Sequence, residues 1–455
     1  MYNKFDFSSF DNSPEALANV FLKEYFNKEL SFPIDPFMIL KDLGVIYQFR
    51  DFEELEGIYL LPKSSVDIPV VGINLNRRVT RQRFTAAHEL CHHIKDKREN
   101  AYCPIDVDYK NEKEKFADRF AAELLMPEEK LKRVSDNYLE NGYICFDNII
   151  KIANYFGVSF SSCVFNLAYK LNRISGDTNA DVLKRRIKQY KPEISKIKLG
   201  FNRYDINLLR QIINSYVYFF DNECKAVWYK FKNNLIYNEN RIENVHIKKE
   251  KAAEIVTDIR LYGKDSSYYS KKSSEIIEIA GFLSMYDYIM ETNDKIDAYK
   301  IFELNKKLFQ FTPFPEEAGK IRSTNNLVVG AKMEITDWHN VPRQIVELDK
   351  IIKKLIKSKA KLSVSEYIDR VVKIHYKITL IHPFKDGNGR VARGIMNWLF
   401  KINKLPPVYL KYPYKEKYYN ALRNADLKND FTALYKLFYQ EVLRTMIDLN
   451  SKFKI

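Results

Sequence analysis

Residues 381–400, IHPFKDGNGRVARGIMNWLF, place a histidine, an aspartate, a Gly-Asn-Gly turn and two arginines in one short run. Gly387, Asn388 and Gly389 let backbone N–H groups turn toward one point. That point lies where a helix begins, and orphan donors together with the helix dipole favour an anion there. Arg390 and Arg393 are three apart, so they share a helix face and can hold further phosphate oxygens. Asp386 supplies the hard oxygen ligand that a phosphate-bound Mg²⁺ prefers. His382 stands beside this nest as a base of suitable intrinsic pKa. Together these residues suit phosphoryl-type transfer to a hydroxyl.

A second constellation lies in RFTAAHELCHHIK. His88, Glu89 and His92 form HExxH, which on a helix sets two imidazoles one turn apart on one face, able to bind a single Zn²⁺. Glu89 then falls beside the metal as a base for water. His93 faces elsewhere and reads as an ordinary polar residue. Lys95 and Arg98 occupy the positions that an HExxHxxGxxH extension would need, so a carboxylate is the better third ligand. In NEKEKFADRFAAELLMP, Glu114 and Asp118 sit i,i+4 on one helix face; Glu114 can ligate zinc while Asp118 orients a histidine. Glu112 is the rival third ligand.

HPFKDGNGRVAR resembles the Fic-family signature HxFx(D/E)GNGRxxR at every fixed position. The resemblance implies transfer of AMP from ATP to a Ser, Thr or Tyr hydroxyl of a protein target. It implies that His382 is the general base, that Phe384 anchors the loop and that Asp386 holds Mg²⁺. Gly387, Asn388 and Gly389 would cradle phosphates, while Arg390 and Arg393 grip the β- and γ-phosphates. NLIYNENRIENVHIKKEKAAEIV is similar to the inhibitory segment of that family, whose core is (S/T)xxxE(G/N). Glu243 and Asn244 match it, whereas Glu239 stands at the Ser/Thr position. A carboxylate from Glu243 aimed at Arg393 would fill the γ-phosphate seat. Ala318–Gly330, AGKIRSTNNLVVG, resembles the flap hairpin that aligns a target segment by main-chain pairing, and Gly319 and Arg322 match its GxxR.

RFTAAHELCHH with EKFADRFAAELLMP resembles the ImmA/IrrE metallopeptidases, through ExxA(N/D)xFAxxLLMP. This resemblance covers roughly residues 10–175 and implies a zinc endopeptidase that cuts a repressor-like partner. Glu112 misses the family register by two residues.

The elements that must position these groups follow from periodicity. Val364, Ile368, Val371, His375 and Ile378 mark a helix running into His382, and Val391, Ile395, Trp398, Leu399 and Ile402 one beginning near Arg390. Residues 13–31 read as a helix with Ser13 as cap and Pro14 in its first turn, and Asp35-Pro36 begins another, stopped at Gly44. Gly57–Leu61 and Ile68–Leu75 read as strands, and the HExxH helix starts near Thr80. Residues 153–159, ANYFGVS, have the cadence of a helix-turn-helix, yet Phe160, Cys163, Val164 and Leu167 are apolar, which favours an αα-hairpin packed on the core. From 201 onward the chain is nearly all helical, with stripes such as Leu208, Ile212, Tyr216 and Phe219. The reading is therefore multidomain: a small α+β zinc-peptidase-like domain at 1–173, a basic linker at 174–200, and an all-α Fic domain with a short hairpin flap at 201–455.

The 455 residues, 46% hydrophobic and 14% aromatic, exclude a disordered chain. Five cysteines without CxxC fit a reducing cytosol. The N-terminus lacks the basic and apolar regions of a signal peptide, and no apolar run approaches membrane-spanning length, so a cytoplasmic chain with no membrane partner is expected. The net charge of +15 is uneven: 351–455 alone hold 22 basic against 8 acidic side chains. That excess can steer ATP or an acidic partner, and equally reads as solvated lysines; DNA is an unlikely partner, since charge alone is weak evidence for it. The alternatives to a peptidase fused to an AMP transferase are a non-proteolytic zinc-stabilised partner-binding module in the first domain, and a Fic domain that moves another nucleotide or removes AMP.

Overall fold

A computed structural model describes residues 5–10, 12–26, 30–62, 64, 67–96, 100–106, 111–201, 204–218, 225–243, 245, 247–270, 274–313, 315–325 and 335–450. The chain forms two compact units, Met1–Val217 and Tyr218–Ile455.

In the first unit Ser13 caps α1 (Pro14–Tyr25) by accepting from the Ala16 N–H, and Asp35 caps α2 (Pro36–Asp42) by accepting from Phe37 and Met38. Strands β1 (Ile46–Arg50), β2 (Leu55–Leu60), β3 (Val70–Asn74) and β4 (Ala101–Pro104) form one sheet in the order β1-β3-β2-β4. β1 runs parallel to β3, whereas β2 is antiparallel to both β3 and β4. α3 (Val79–Lys95) packs across β2 and β3 and against α4 (Glu112–Leu125), which also carries α1. Its Ala86, Ala87, Leu90, Cys91 and Ile94 are buried, so the small alanines let the helix lie close to its neighbours. α5 (Glu128–Asp136), α6 (Phe146–Phe156) and α7 (Phe160–Tyr169) follow. Gly157 ends α6 with φ 69°, a left-handed cap that glycine adopts without strain. Phe160, Cys163, Val164 and Leu167 are buried, so the α6–α7 pair turns its apolar face inward, as an αα-hairpin does.

The expected linker at 174–200 is instead mostly helical, as α8 (Ala180–Tyr190) and α9 (Pro192–Lys198), and belongs to the first unit. So does α10 (Tyr204–Ser215), which packs on α2 and α3. Tyr47 Oη lies 2.9 Å from Ile212 O and 2.7 Å from Ser215 Oγ, and Tyr216 Oη donates to Gln48 Oε1 at 2.9 Å. The apolar stripe Leu208–Ile212–Tyr216 thus closes over β1 and α2 rather than opening the second domain; Phe219 falls outside the described residues.

The second unit is helical among its described residues: α11 (Lys225–Ile242), α12 (Lys249–Tyr262), α13 (Ser267–Ser270), α14 (Ser274–Glu291), α15 (Lys300–Phe309), α16 (Val341–Ser358), α17 (Val364–Ile381), α18 (Asn388–Ile402), α19 (Lys415–Lys428) and α20 (Thr432–Asn450). α18 is its central rod, buried along its length and packed by α14, α15 and α17. A capping box between Ser363 and Glu366 starts α17, and His382, at φ 49°, ends it. Residues 326–330, the second part of the expected flap hairpin, lie outside the described residues. No helix among the described residues is long and apolar enough to cross a membrane.

Two candidate active sites

In the first unit α3 buries His88, Glu89 and His92 on one inward face, against α4. Glu114 reaches both imidazoles: its Oε2 is 3.0 Å from His88 Nε2 and its Oε1 3.3 Å from His92 Nε2. The two Nε2 atoms are 3.2 Å apart. Donors on one tetrahedron with bonds of ~2.0 Å stand ~3.3 Å apart, so the spacing of the two Nε2 atoms and the nearness of the Glu114 carboxylate suit a single zinc ion. The other ring nitrogens are held from behind, His88 Nδ1 by Asp118 Oδ1 at 2.9 Å and His92 Nδ1 by Asp96 Oδ2 at 2.7 Å. A carboxylate only accepts, so each Nδ1 carries a proton; once the inner proton is lost, the lone pair of each ring sits on the Nε2 that faces Glu114. With no metal bound, burial would lower the His88 pKa, but contacts with Asp118, Cys103 and Glu114 carry it well above the ordinary value. His92 is raised in the same way, against burial, by Asp96 and Glu114. Burial pushes Glu114 up, but the two imidazoles bring it down to about 2.

Glu89, next to His88 on α3, is fully buried, and Gly57 of β2 faces it. A Cβ at Gly57 would collide with Glu89 Oε1 and Thr85 Cγ2, so this strand glycine makes room for the carboxylate. Glu112, the rival ligand, points outward and pairs with Lys115 at 2.9 Å. His93 hydrogen-bonds Tyr59 Oη at 3.0 Å, away from the cluster. A cavity of about 580 Å³ opens beside His92 and Glu114, walled by Asn111 and by the edge strand β4 at Ala101 and Tyr102. Asp96 was legible as the residue four after His92; Gly57 had only the weaker signal of a glycine inside a strand pattern.

In the second unit residues 382–387 turn from α17 into α18. Phe384 is buried, edge-on to Phe302 with ring centroids 5.7 Å apart. Asn388 closes the turn from both sides: its Oδ1 accepts from Phe384 N–H and its Nδ2 donates to Phe384 O, each at 2.9 Å. The side chain of Asn388 is therefore a clamp on the loop. Gly387 caps α18 at φ 80°, with no side chain on the helix's first amides, and a Cβ there would sit 2.7 Å from the Phe309 ring. The Gly387 N–H donates to Asp386 Oδ1 at 2.6 Å, and Asp386, 70% exposed, keeps oxygens toward solvent where a cation can reach them.

His382 Nδ1 lies 3.3 Å from Thr379 O. A carbonyl only accepts, so Nδ1 holds the proton and Nε2 the lone pair. Burial lowers the His382 pKa, and the nearby Arg322 guanidinium lowers it further, which keeps the ring neutral near pH 7. Arg322 also holds the segment in place. Its backbone N–H donates to Pro383 O at 2.9 Å and its Nε to His382 O at 2.6 Å, and its terminal nitrogens bond Thr324 O and Thr336 O.

Both arginines of the signature are buried and engaged by acids. Arg390 pairs with Glu278 of α14 and with Asp386 at 3.3 Å. Arg393 pairs through Nη2 with Glu243 Oε1 at 2.6 Å and through Nε with Glu239. Burial raises the Glu243 pKa, but Arg393 and Arg390 outweigh it, so this carboxylate is held below its ordinary value and ionised. Asn244, the other residue of the expected plug, lies outside the described residues. Glu278, which no spacing marked, comes from a distant helix and reaches Arg390 only through the packing of α14 on α18.

Residues 41–168 match the family model described as IrrE N-terminal-like domain, and residues 295–400 match that of the Fic/DOC family. Among curated proteins, the protein adenylyltransferase fic-1 of Caenorhabditis elegans is 32% identical over 139 residues, 30% of this chain and 26% of that protein. The protein adenylyltransferase Fic of Nematostella vectensis is 28% identical over 199 residues, 42% of each. The chain spans about a quarter of the length of the two Caenorhabditis relatives it matches. The solved structure of a Fic-1 fragment from C. elegans covers 73% of this chain and all of its own, at 18% identity and a TM-score of 0.43.

Proposed function

We propose that this chain, which joins an IrrE-like segment to a Fic/DOC segment, transfers AMP from ATP to a hydroxyl of a protein target and restrains that activity with Glu243. The observation that carries the reading is the juxtaposition of a neutral His382 with the uncapped start of α18 and its two inward arginines. The first amides of α18 and the Arg390 and Arg393 guanidiniums receive the β- and γ-phosphates. Asp386 would hold Mg²⁺, which when bound offsets phosphate charge. The target hydroxyl loses its proton to His382 Nε2 as its oxygen bonds to the α-phosphorus, and the bond to the bridging oxygen breaks, so pyrophosphate departs. Glu243 on Arg393 Nη2 takes the place of a phosphate oxygen and opposes productive ATP binding. The curated relatives named as protein adenylyltransferases support this reaction and a protein acceptor.

For the first unit the reading is a zinc endopeptidase acting on a protein partner. His88, His92 and Glu114 would hold zinc, which when bound supplies Lewis acidity. Asp118 and Asp96 keep the two rings in the ligating tautomer, and Glu89 would take a proton from water and return it to the leaving amine.

The test of the transferase reading is incubation of wild type, Glu243→Gly and His382→Ala with Mg²⁺, a cell lysate and ATP labelled at the α-phosphate or, in parallel, at the γ-phosphate. Strong protein labelling by Glu243→Gly, weak labelling by wild type and none by His382→Ala is the expected order. Equal labelling by all three removes His382 and Glu243 from these roles, and label transferred only from the γ-phosphate replaces AMP transfer by phosphorylation. For the peptidase, Glu89→Gln is expected to abolish cleavage while keeping metal content. Cleavage that survives in Glu89→Gln refutes the role of Glu89.

A further inference from the structure

We propose that Glu239 is a positioning residue for the nucleotide: it holds Arg393 by Nε, so that withdrawal of Glu243 leaves both terminal nitrogens of a fixed guanidinium facing the phosphate tail. The inference deepens the AMP-transfer reading and rests on it. Glu239 and Glu243 are one helical turn apart, at the end of α11, and approach the same guanidinium from that turn. They do not make equivalent contacts. Glu243 bonds Nη2, a tip of the fork, and its side chain is 25% exposed, so it can leave toward solvent. Glu239 bonds Nε, at the root of the fork, and is fully buried. Nη1, the other tip, faces Gly389 in the first turn of α18, where a Cβ would stand 3.2 Å from it. Removing Glu243 therefore frees the Nη1–Nη2 edge on the side where the amides of α18 begin, and leaves Nε occupied.

Three observations favour holding over a second plug. A planar guanidinium bonded at Nε loses rotation about its last torsion, and a bidentate phosphate contact needs that plane fixed. Arg393 is 1% exposed, and a buried cation stripped of Glu243 would otherwise have no carboxylate beside it before ATP arrives. The helix bearing Glu239 is pinned, because Lys232 of α11 pairs with Asp287 of α14 at 2.5 Å, so Glu239 does not follow Glu243 outward without dislodging a packed helix. Glu239 Oε1 makes no hydrogen bond among the described residues, although it is buried. A buried carboxylate with one oxygen unbonded is a poor stabiliser compared with an apolar side chain, which points away from a purely structural role. Burial and the neighbouring Glu243 raise the Glu239 pKa, so departure of Glu243 strengthens its hold on Nε.

The experiment places Glu239→Ala and Glu239→Gln in the full chain carrying Glu243→Gly, and measures ATP and AMP binding together with kcat and KM for labelling. Glu239→Ala is expected to weaken ATP binding and raise KM by about tenfold, with kcat changed less and AMP affinity unchanged, because AMP lacks the phosphates that Arg393 meets. Glu239→Gln still accepts from Nε and is expected to recover most of the loss. An unchanged or tighter ATP affinity in Glu239→Ala overturns the proposal, since a bystander gives the first and a second plug the second. Parallel loss of ATP and AMP affinity in both variants overturns it as well, because that is damage to the fold. Should Glu243→Gly bind ATP yet label no protein, the AMP-transfer reading fails, and the ratio of ATP to AMP affinity still decides the role of Glu239.

Discussion

The two candidate sites are built from the same materials, buried basic side chains answered by buried carboxylates, and they are poised in opposite ways. In the first unit two acids stand behind the histidines: Asp118 and Asp96 hold Nδ1–H, so both Nε2 atoms turn toward Glu114. In the second unit, beside Glu239 at Nε of Arg393, acids also stand in front, with Glu243 at Nη2 of Arg393 and Glu278 on Arg390. The first arrangement prepares a site for a cation, whereas the second fills with its own carboxylates the seats an anion needs. Where a carboxylate sits around a basic group thus decides whether it readies the group or occupies it.

Removal of the base is the sharpest way to break this comparison. His382→Ala is expected to lower AMP transfer by roughly 10²- to 10⁴-fold in the Glu243→Gly background, with ATP binding retained. Labelled-ATP transfer and equilibrium binding check it; transfer at the parental rate breaks the assignment. Next is the carboxylate in front. Glu243→Gly is expected to tighten ATP binding by about 10- to 100-fold, as one buried carboxylate–guanidinium contact is exchanged for phosphate, and calorimetry reads the change. The carboxylate behind should matter in the other direction: Asp118→Asn is expected to weaken zinc affinity by about 10- to 100-fold, whereas Glu112→Ala leaves it unchanged. Competition with a chromogenic chelator measures both.

The smallest effects are those of pH, and their signs differ between the sites. His88 and His92 have raised values in the metal-free fold, so their protonation stabilises it fully below about pH 6.5 and is lost as pH rises through the raised values. Zinc needs the same nitrogens without protons, so the rise in melting temperature on adding zinc should grow between pH 5.5 and 8. His382 is lowered, so the acid limb of transfer by Glu243→Gly should fall below about pH 6.5. A thermal scan and a pH–rate profile test the pair, and a zinc effect that shrinks with rising pH contradicts the geometry.

Much of each site was legible because its parts lie within a helical turn or two of one another. HExxH and HPFKDGNGRVAR specify their own local geometry, since a helix face and a glycine turn follow from residue type and spacing. Glu114 and Asp118 were also within reach, being i,i+4 on a strongly patterned helix. Composition alone sets the domain border earlier than the division after Val217. The polar run after Arg173 reads as a linker, whereas α8, α9 and α10 belong with the first unit, Tyr47 bonding α10 and Gln48 the Tyr216 that follows it. No local signal marks strand β1, because IYQFR is short and its polar Gln48 and Arg50 break the apolar run, or β4, because AYCP is only four residues. Both are held by neighbours in the sheet more than by their own propensity.

The sequence by itself determined the chemistry: which side chains can bind a metal, hold a phosphate or take a proton, and which of them share a local face. Short-range geometry depends on backbone stereochemistry, and that is written residue by residue. Only the tertiary structure decided which groups meet across the chain. Glu239 reaches Arg393 across a sequence separation of 154, Glu278 reaches Arg390 across one of 112, and Gly57 makes room for Glu89 from another element. Those encounters depend on how helices and strands pack, and side-chain packing is collective, so no local pattern announces it.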